Sequence, residues 1–74
     1  MTKRQENIIL KTIAEFEGLP VNLIHDEYVL TLDSIDTVDL IFQLEKDFNC
    51  NIPDNEIENI KTVEDVISLF HLYV

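Results

Sequence analysis

The sequence predicts an all-α protein, a small antiparallel-type helical bundle of three main helices and one short helix, with a long ordered loop between the first two helices. Three observations support this fold class. Apolar residues recur at helical spacing, residues suited to helix caps precede those runs, and no segment alternates apolar and polar side chains as a half-buried strand would. The one glycine and two prolines stand singly. No linker is therefore indicated, and we expect residues 1–74 to form a single domain.

The first helix is expected between a capping box and a glycine. Thr2 and Gln5 have the capping-box spacing. The apolar residues that follow on one helical face are Ile9, Ile13 and Phe16. Gly18 and Pro20 end this helix, because glycine favours the C-terminal cap and proline cannot continue a helix.

The connection to the second helix is expected to be an ordered loop that lies along the core. It spans residues 19–32 and carries apolar residues without a sustained period. These residues are Leu23, Ile24, Tyr28, Val29 and Leu30.

The second helix is expected to begin at Asp33 or Ser34, since either side chain can accept a hydrogen bond from an unpaired N–H of the first turn. Its predicted buried stripe is wide enough for a central helix. The stripe consists of Ile35, Val38, Ile41, Phe42, Leu44 and Phe48. Residues 49–51 end the helix.

Two more helices are predicted in the last third of the chain. Pro53 and Asp54 open a short helix, and Thr62 with Asp65 forms a second capping-box pattern before the last helix. The apolar residues expected in the core are Ile57 and Ile60 in the short helix and Val63, Val66, Ile67, Phe70 and Tyr73 in the last one.

Charge and size restrict the possible functions. Fifteen acidic against five basic residues give a net charge of −10, which repels phosphate backbones and anionic lipid headgroups. We therefore expect no nucleic-acid partner and no membrane insertion, and basic protein surfaces are the favoured partners. The single cysteine, Cys50, cannot form an internal disulfide, so the cytoplasm is the expected location. So small a core favours a monomeric binding or carrier module over an enzyme with a deep cleft.

Ser34 follows an aspartate at the start of the second helix. A serine there can simply cap the helix, or it can be an exposed hydroxyl that another protein modifies. The segment DSIDTVDL, residues 33–40, resembles the Asp-Ser-Leu attachment motif of acyl carrier proteins. The similarity covers residues 27–70 and continues through Leu44-Glu45, Phe48, Ile52-Pro53-Asp54 and Ile60-Lys61-Thr62-Val63.

The resemblance implies a carrier of 4′-phosphopantetheine. A phosphopantetheinyl transferase would move this group from coenzyme A to Ser34, and the new thiol would hold cargo as a thioester. The protein would then be a substrate and not an enzyme, with no catalytic residues and no metal of its own. His25 and His71 belong to no recognisable triad spacing.

The resemblance also assigns the second helix to partner recognition. Acyl-loading and acyl-processing enzymes would place basic docking patches against it. The residues carried over by match are Asp33, Ile35, Asp36, Asp39 and Glu45. If Ile35, Val38 and Phe42 face inward, the acids should form an outward ridge beside Ser34. The alternative for any one acid is an ordinary solvated position.

Two weaker signals lie in the turn after the second helix. Residues 47–58 place oxygen-bearing side chains at the first, third, fifth and twelfth positions of an EF-hand loop. However, Ile52 stands where that loop needs glycine and Pro53 follows, so we expect no calcium site. Cys50 has no Cys or His partner at ligand or redox spacing, which favours an ordinary turn residue.

The chain departs from the family pattern in three places. Thr31-Leu32 replaces the common Gly-Ala before the attachment aspartate, and Lys46 interrupts the acidic run. The loop between Tyr28 and Ser34, here called the approach loop, is shorter than in typical fatty-acid carriers. These departures favour a dedicated pathway, with fatty-acid synthesis as the alternative. Two other interpretations stay open: an unmodified acidic helical interaction module, in which Ser34 is only a cap, and a divalent-ion sensor.

Overall fold

The computed structural model describes residues 1–74 and confirms the predicted all-α class. Its helices are α1 (Lys3–Glu17), α2 (Ser34–Phe48), α3 (Asp54–Ile57) and α4 (Val63–Tyr73), and a 3₁₀ turn forms at Val21–Leu23. α1 packs against both α2 and α4, and α2 packs against α3. No helix combines the length and apolar character that a bilayer span requires.

Local capping sets the ends of the helices as the sequence predicted. The Thr2 hydroxyl accepts the N–H of Gln5 at 3.2 Å, and the Gln5 side chain accepts the N–H of Thr2 at 2.8 Å. Gly18 ends α1 with a left-handed φ of 70°, a conformation that glycine adopts without steric cost. Thr62 and Asp65 form the second capping box at the start of α4.

The long connection between α1 and α2 is ordered by hydrogen bonds to the first turn of α4. The N–H of Val63 donates to the carbonyl of Tyr28 at 3.0 Å. The N–H of Glu64 donates to the carbonyl of Asp26 at 2.9 Å. The first N–H groups of a helix have no partner inside the helix, so the connection completes the cap that Thr62 begins.

The core is one cluster to which every helix contributes. Its buried apolar residues are Ile9, Ile13, Ala14, Ile24, Leu40, Ile41, Leu44, Ile52, Ile57, Val63, Val66 and Phe70. Ile24 comes from the long connection, which confirms that the loop lies along the core. Phe70 is completely buried, and its ring centroid lies 5.7 Å from that of Phe48.

Several residues predicted to lie in or along the core are exposed instead. They are Leu23 (50%), Val29 (64%), Ile35 (71%), Phe42 (50%) and Tyr73 (38%). The predicted stripe of α2 was confirmed at Ile41 and Leu44, which are buried, and at Val38 and Phe48, which pack against the core. It was wrong at Ile35 and Phe42, because the helix turns Leu40 into the core and these two side chains consequently point away from its centre. α3 has only four residues, so it covers α2 incompletely.

Asp65 makes the stability of α4 dependent on pH. Its carboxylate accepts the N–H groups of Lys61 and Thr62 at 2.9 and 3.0 Å. Burial opposes ionisation, but these bonds outweigh it and lower the pKa of Asp65 below its ordinary value of 3.8. The stability that Asp65 contributes is therefore present above that value and is lost as the pH falls through the lowered pKa.

We expect Asp65→Asn to lower the free energy of unfolding at neutral pH by about 1 kcal/mol, the size of a lost helix cap. Urea unfolding at a series of pH values should show this deficit shrinking below pH 3.8. Glu64→Gln is the matched control, because Glu64 lies in the same turn and its side chain is exposed. A deficit that stays constant across the series would contradict the assignment.

Candidate functional site

Asp33 caps α2 and leaves Ser34 as its first helical residue. The backbone of Asp33 is extended, and its carboxylate accepts the N–H of Asp36 at 2.8 Å. Its carbonyl accepts the N–H and the hydroxyl of Thr37 at 2.9 and 2.8 Å. Of the two cap residues that the sequence allowed, the structure selects Asp33. Ser34 is therefore not needed to begin the helix.

The side chain of Ser34 is exposed to solvent. The N–H groups of Ser34 and Ile35 have no acceptor within the protein, and they lie at the positive end of the helix dipole. A phosphate bonded to the Ser34 Oγ would lie beside these donors. The start of α2 thus fits a phosphoester on this serine.

A groove of about 590 Å³ opens beside Ser34 between α2 and α3. Its apolar lining residues are Leu32, Val38, Phe42, Ile57 and Ile60, and its polar ones are Ser34, Thr37, Asp54 and Glu58. A flexible chain attached at Ser34 therefore has an apolar surface next to it. Sequence reasoning did not identify this groove, because its two walls come from separate segments of the chain.

The exposed face of α2 is both acidic and apolar. Asp33, Asp36 and Asp39 are exposed, as predicted for partner-binding residues. Ile35 and Phe42 are exposed as well, and their spacing from Asp39 places all three on one helical face. These acids project outward as expected, but the expectation that Ile35 and Phe42 face inward was wrong. The surface offers apolar contacts beside its charges.

Glu45 differs from the other predicted partner-binding residues because it is half-buried. Its carboxylate accepts the N–H of Ile52 at 2.5 Å, and its backbone carbonyl accepts the N–H of Cys50 at 3.1 Å. Glu45 therefore holds the turn that leads into α3, the second wall of the groove. Burial and the negative charge of Glu45 raise the pKa of the Cys50 thiol, which disfavours the reactive thiolate.

The segment with partial similarity to an EF-hand loop does not form a continuous loop. Asp54–Ile57, within residues 47–58, is helical. No group of three or more His, Cys, Asp or Glu side chains is placed to hold a metal ion. The geometry consequently offers no support for an ion sensor.

A small helical bundle with an exposed serine at a helix start and an apolar groove beside it has the features of a covalent carrier domain. The chain matches the family model described as "Phosphopantetheine attachment site" over residues 7–70. It belongs to this family of phosphopantetheine attachment domains. The match confirms the resemblance and indicates a covalently attached 4′-phosphopantetheine.

Curated relatives of the chain are named acyl carrier protein. The relative from Thermosynechococcus vestitus is 48% identical over 42 residues, which cover 57% of this chain and 52% of the relative. The relative from Lactobacillus acidophilus is 56% identical over 39 residues, covering 53% and 49%. The relative from Phytoplasma australiense is 53% identical over 38 residues, covering 51% and 50%. The matched segment thus spans about half the length of each relative.

We expect Ser34→Ala to leave the free energy of unfolding within about 0.5 kcal/mol of the wild type, because the substitution removes no cap. Asp33→Ala should cost about 0.5–2 kcal/mol, since it removes the acceptor of the Asp36 N–H. Urea unfolding at fixed ionic strength measures both values. An equal loss in the two variants would mean that the serine supports the helix after all.

Proposed function

We propose that this protein is an acyl carrier protein, which holds acyl or related biosynthetic intermediates as thioesters on a 4′-phosphopantetheine arm attached to Ser34. The observation that carries the proposal is Ser34 itself, which is exposed, is not the cap of α2 and lies within the matched part of the family. The names of the relatives support an acyl cargo. The single cysteine supports a cytoplasmic location.

In the attachment step, the Ser34 Oγ attacks the phosphorus of coenzyme A that bears the pantetheine. An O–P bond forms at Oγ, the bond to the departing nucleotide phosphate breaks, and the hydroxyl proton passes to a base on the phosphopantetheinyl transferase. The N–H groups of Ser34 and Ile35 favour the phosphate at the helix start. In this step the chain is a substrate, and the transferase supplies the catalysis.

The wild type, incubated with coenzyme A, magnesium and a broad phosphopantetheinyl transferase, should gain a single phosphopantetheine. Ser34→Ala should gain none, because it lacks the accepting hydroxyl. Ser68→Ala is the matched control, since Ser68 is the other exposed serine and should be dispensable. Intact mass measurement shows whether the wild type and each of the two variants have gained the group. An unmodified wild type, where a control carrier is modified, would favour the unmodified interaction module instead.

The proposed partner surface is the exposed face of α2. Its residues are Asp33, Ile35, Asp36, Asp39 and the half-buried Glu45. Acyl-loading and acyl-processing enzymes would bring basic patches to the acids, and such charges mainly raise the association rate. The exposed Ile35 adds an apolar contact. We expect Glu45 to contribute less to partner binding, because one of its carboxylate oxygens already accepts the N–H of Ile52.

We further propose that the carrier serves a dedicated pathway and not general fatty-acid synthesis. Lys46 is exposed in the last turn of α2, and its spacing from Asp39 and Phe42 places it on the same helical face. Its positive charge opposes basic enzymes that contact this end of the helix. The replacement of the small Gly-Ala pair by Thr31-Leu32 alters the approach to Ser34 as well.

Loaded with an acyl group, the wild type should be turned over by fatty-acid synthase enzymes more slowly than the housekeeping carrier of the same organism. Lys46→Glu should recover part of the lost kcat/KM, and the recovery should shrink at high salt. Lys11→Glu is the control, because it makes the same charge change on the exposed side of α1. Equal turnover by the wild type would contradict the dedicated role. A defect that neither variant relieves would assign the cause to the approach loop.

A further inference from the structure

Glu17, the last residue of α1, binds the segment that leads into α2. Its carboxylate accepts the hydroxyl of Tyr28 at 2.8 Å, the N–H of Thr31 at 2.9 Å and the hydroxyl of Thr31 at 2.6 Å. One side chain thus joins the end of α1 to two points of the connection. No feature of the sequence pattern predicts this cluster, because the partners lie 11 and 14 residues away.

The position of Glu17 is unfavourable for α1 taken alone. A negative charge near a helix C-terminus opposes the helix dipole, and the last turn of α1 has no basic residue. Burial also opposes ionisation, but the hydrogen bonds from Thr31 and Tyr28 outweigh it and lower the pKa of Glu17 below its ordinary value of 4.5. The carboxylate is therefore ionised at neutral pH, and its charge stabilises the connection and not the helix.

Thr31 lies near the end of the connection, just before the cap residue and Ser34. It stands between Leu30, whose N–H makes the last backbone hydrogen bond to the segment before α4, and the cap residue Asp33. Leu32 lines the groove together with Ser34. Holding Thr31 therefore sets the direction in which the chain enters α2 and the position of one edge of the groove.

We propose that Glu17 is a positioning residue for Ser34. The Glu17 carboxylate holds Thr31, so that Ser34 and the first turn of α2 keep one geometry when a partner enzyme docks. This inference rests on the proposed function, since it concerns the presentation of the same serine. Loss of the carboxylate releases Thr31 and Leu32 and lowers the fraction of molecules in the docking-competent geometry. A lower competent fraction raises the apparent KM and leaves kcat unchanged.

Transferase kinetics on the full chain test the inference with Glu17→Gln and Thr31→Val. Glu15→Gln is the matched control, because it makes the same charge change at an exposed position of α1. We expect the KM for Glu17→Gln to rise roughly three- to tenfold with kcat unchanged. Thr31→Val should show a smaller rise, and Glu15→Gln should match the wild type. The double variant should resemble Glu17→Gln, because both changes act on one contact.

Amide hydrogen exchange separates this inference from the proposed function. In Glu17→Gln the N–H of Thr31 should exchange faster than in Glu15→Gln, while the buried amides of Ile13 and Phe70 keep their protection. A wild type that no transferase modifies would defeat the proposed function, and exchange at Thr31 would still decide whether Glu17 holds the segment. Unchanged exchange at Thr31, or a wild-type KM in folded Glu17→Gln, would overturn the inference. If the core amides of Glu17→Gln also lose protection, the KM of Thr31→Val tests the inference instead. A raised KM supports the inference, and a wild-type KM overturns it.

Discussion

The hydrogen bonds that join the α1–α2 connection to the first turn of α4 are the constraint on which the rest of the structure depends. Ile24 is the one buried residue of the connection, while Leu19, Tyr28, Leu30 and Leu32 are partly buried against the core, so the segment depends on its hydrogen bonds as well as on hydrophobic burial. The carbonyls of Asp26 and Tyr28 accept hydrogen bonds from N–H groups in the first turn of α4. Those N–H groups need acceptors in any case, because they have no partner inside the helix. One set of hydrogen bonds thus fixes the connection and completes the cap of α4. Because the connection leads into α2, these bonds also determine where α2 begins in space.

Incomplete cover of α2 then produces the site. Leu40 and Leu44 are completely buried and hold the middle of this helix, while its first turn projects beyond the core. Because α3 has only four residues, it leaves a groove beside Ser34 and half of Phe42 exposed. The projecting first turn exposes the Ser34 hydroxyl, and the partial cover leaves an apolar surface beside it.

The acidity of the chain is partly a requirement of its fold. Asp33 and Asp65 cap helices, while Glu17 and Glu45 hold turns, and all four carboxylates accept backbone N–H groups. Part of the net charge of −10 is therefore used in hydrogen bonds that fix helix starts and turns. The remaining exposed acids of α2 are available to partners, for which charge contributes more to association rate than to affinity.

The sequence by itself determined the helices, the N-terminal caps of α1 and α4 and the family, because these features relate residues that are close together in the chain. The capping box at Thr62 and the motif around Ser34 can be recognised without knowing what packs against them. The tertiary structure decided how far the buried side of α2 extends. It placed Leu40 inside and Ile35 and Phe42 outside, because packing against α1, and not the order of apolar residues, sets the limits of that side. It also decided the groove and the bonds of Glu17. Each of these joins segments far apart in the chain, and their meeting depends on the packing of the whole bundle.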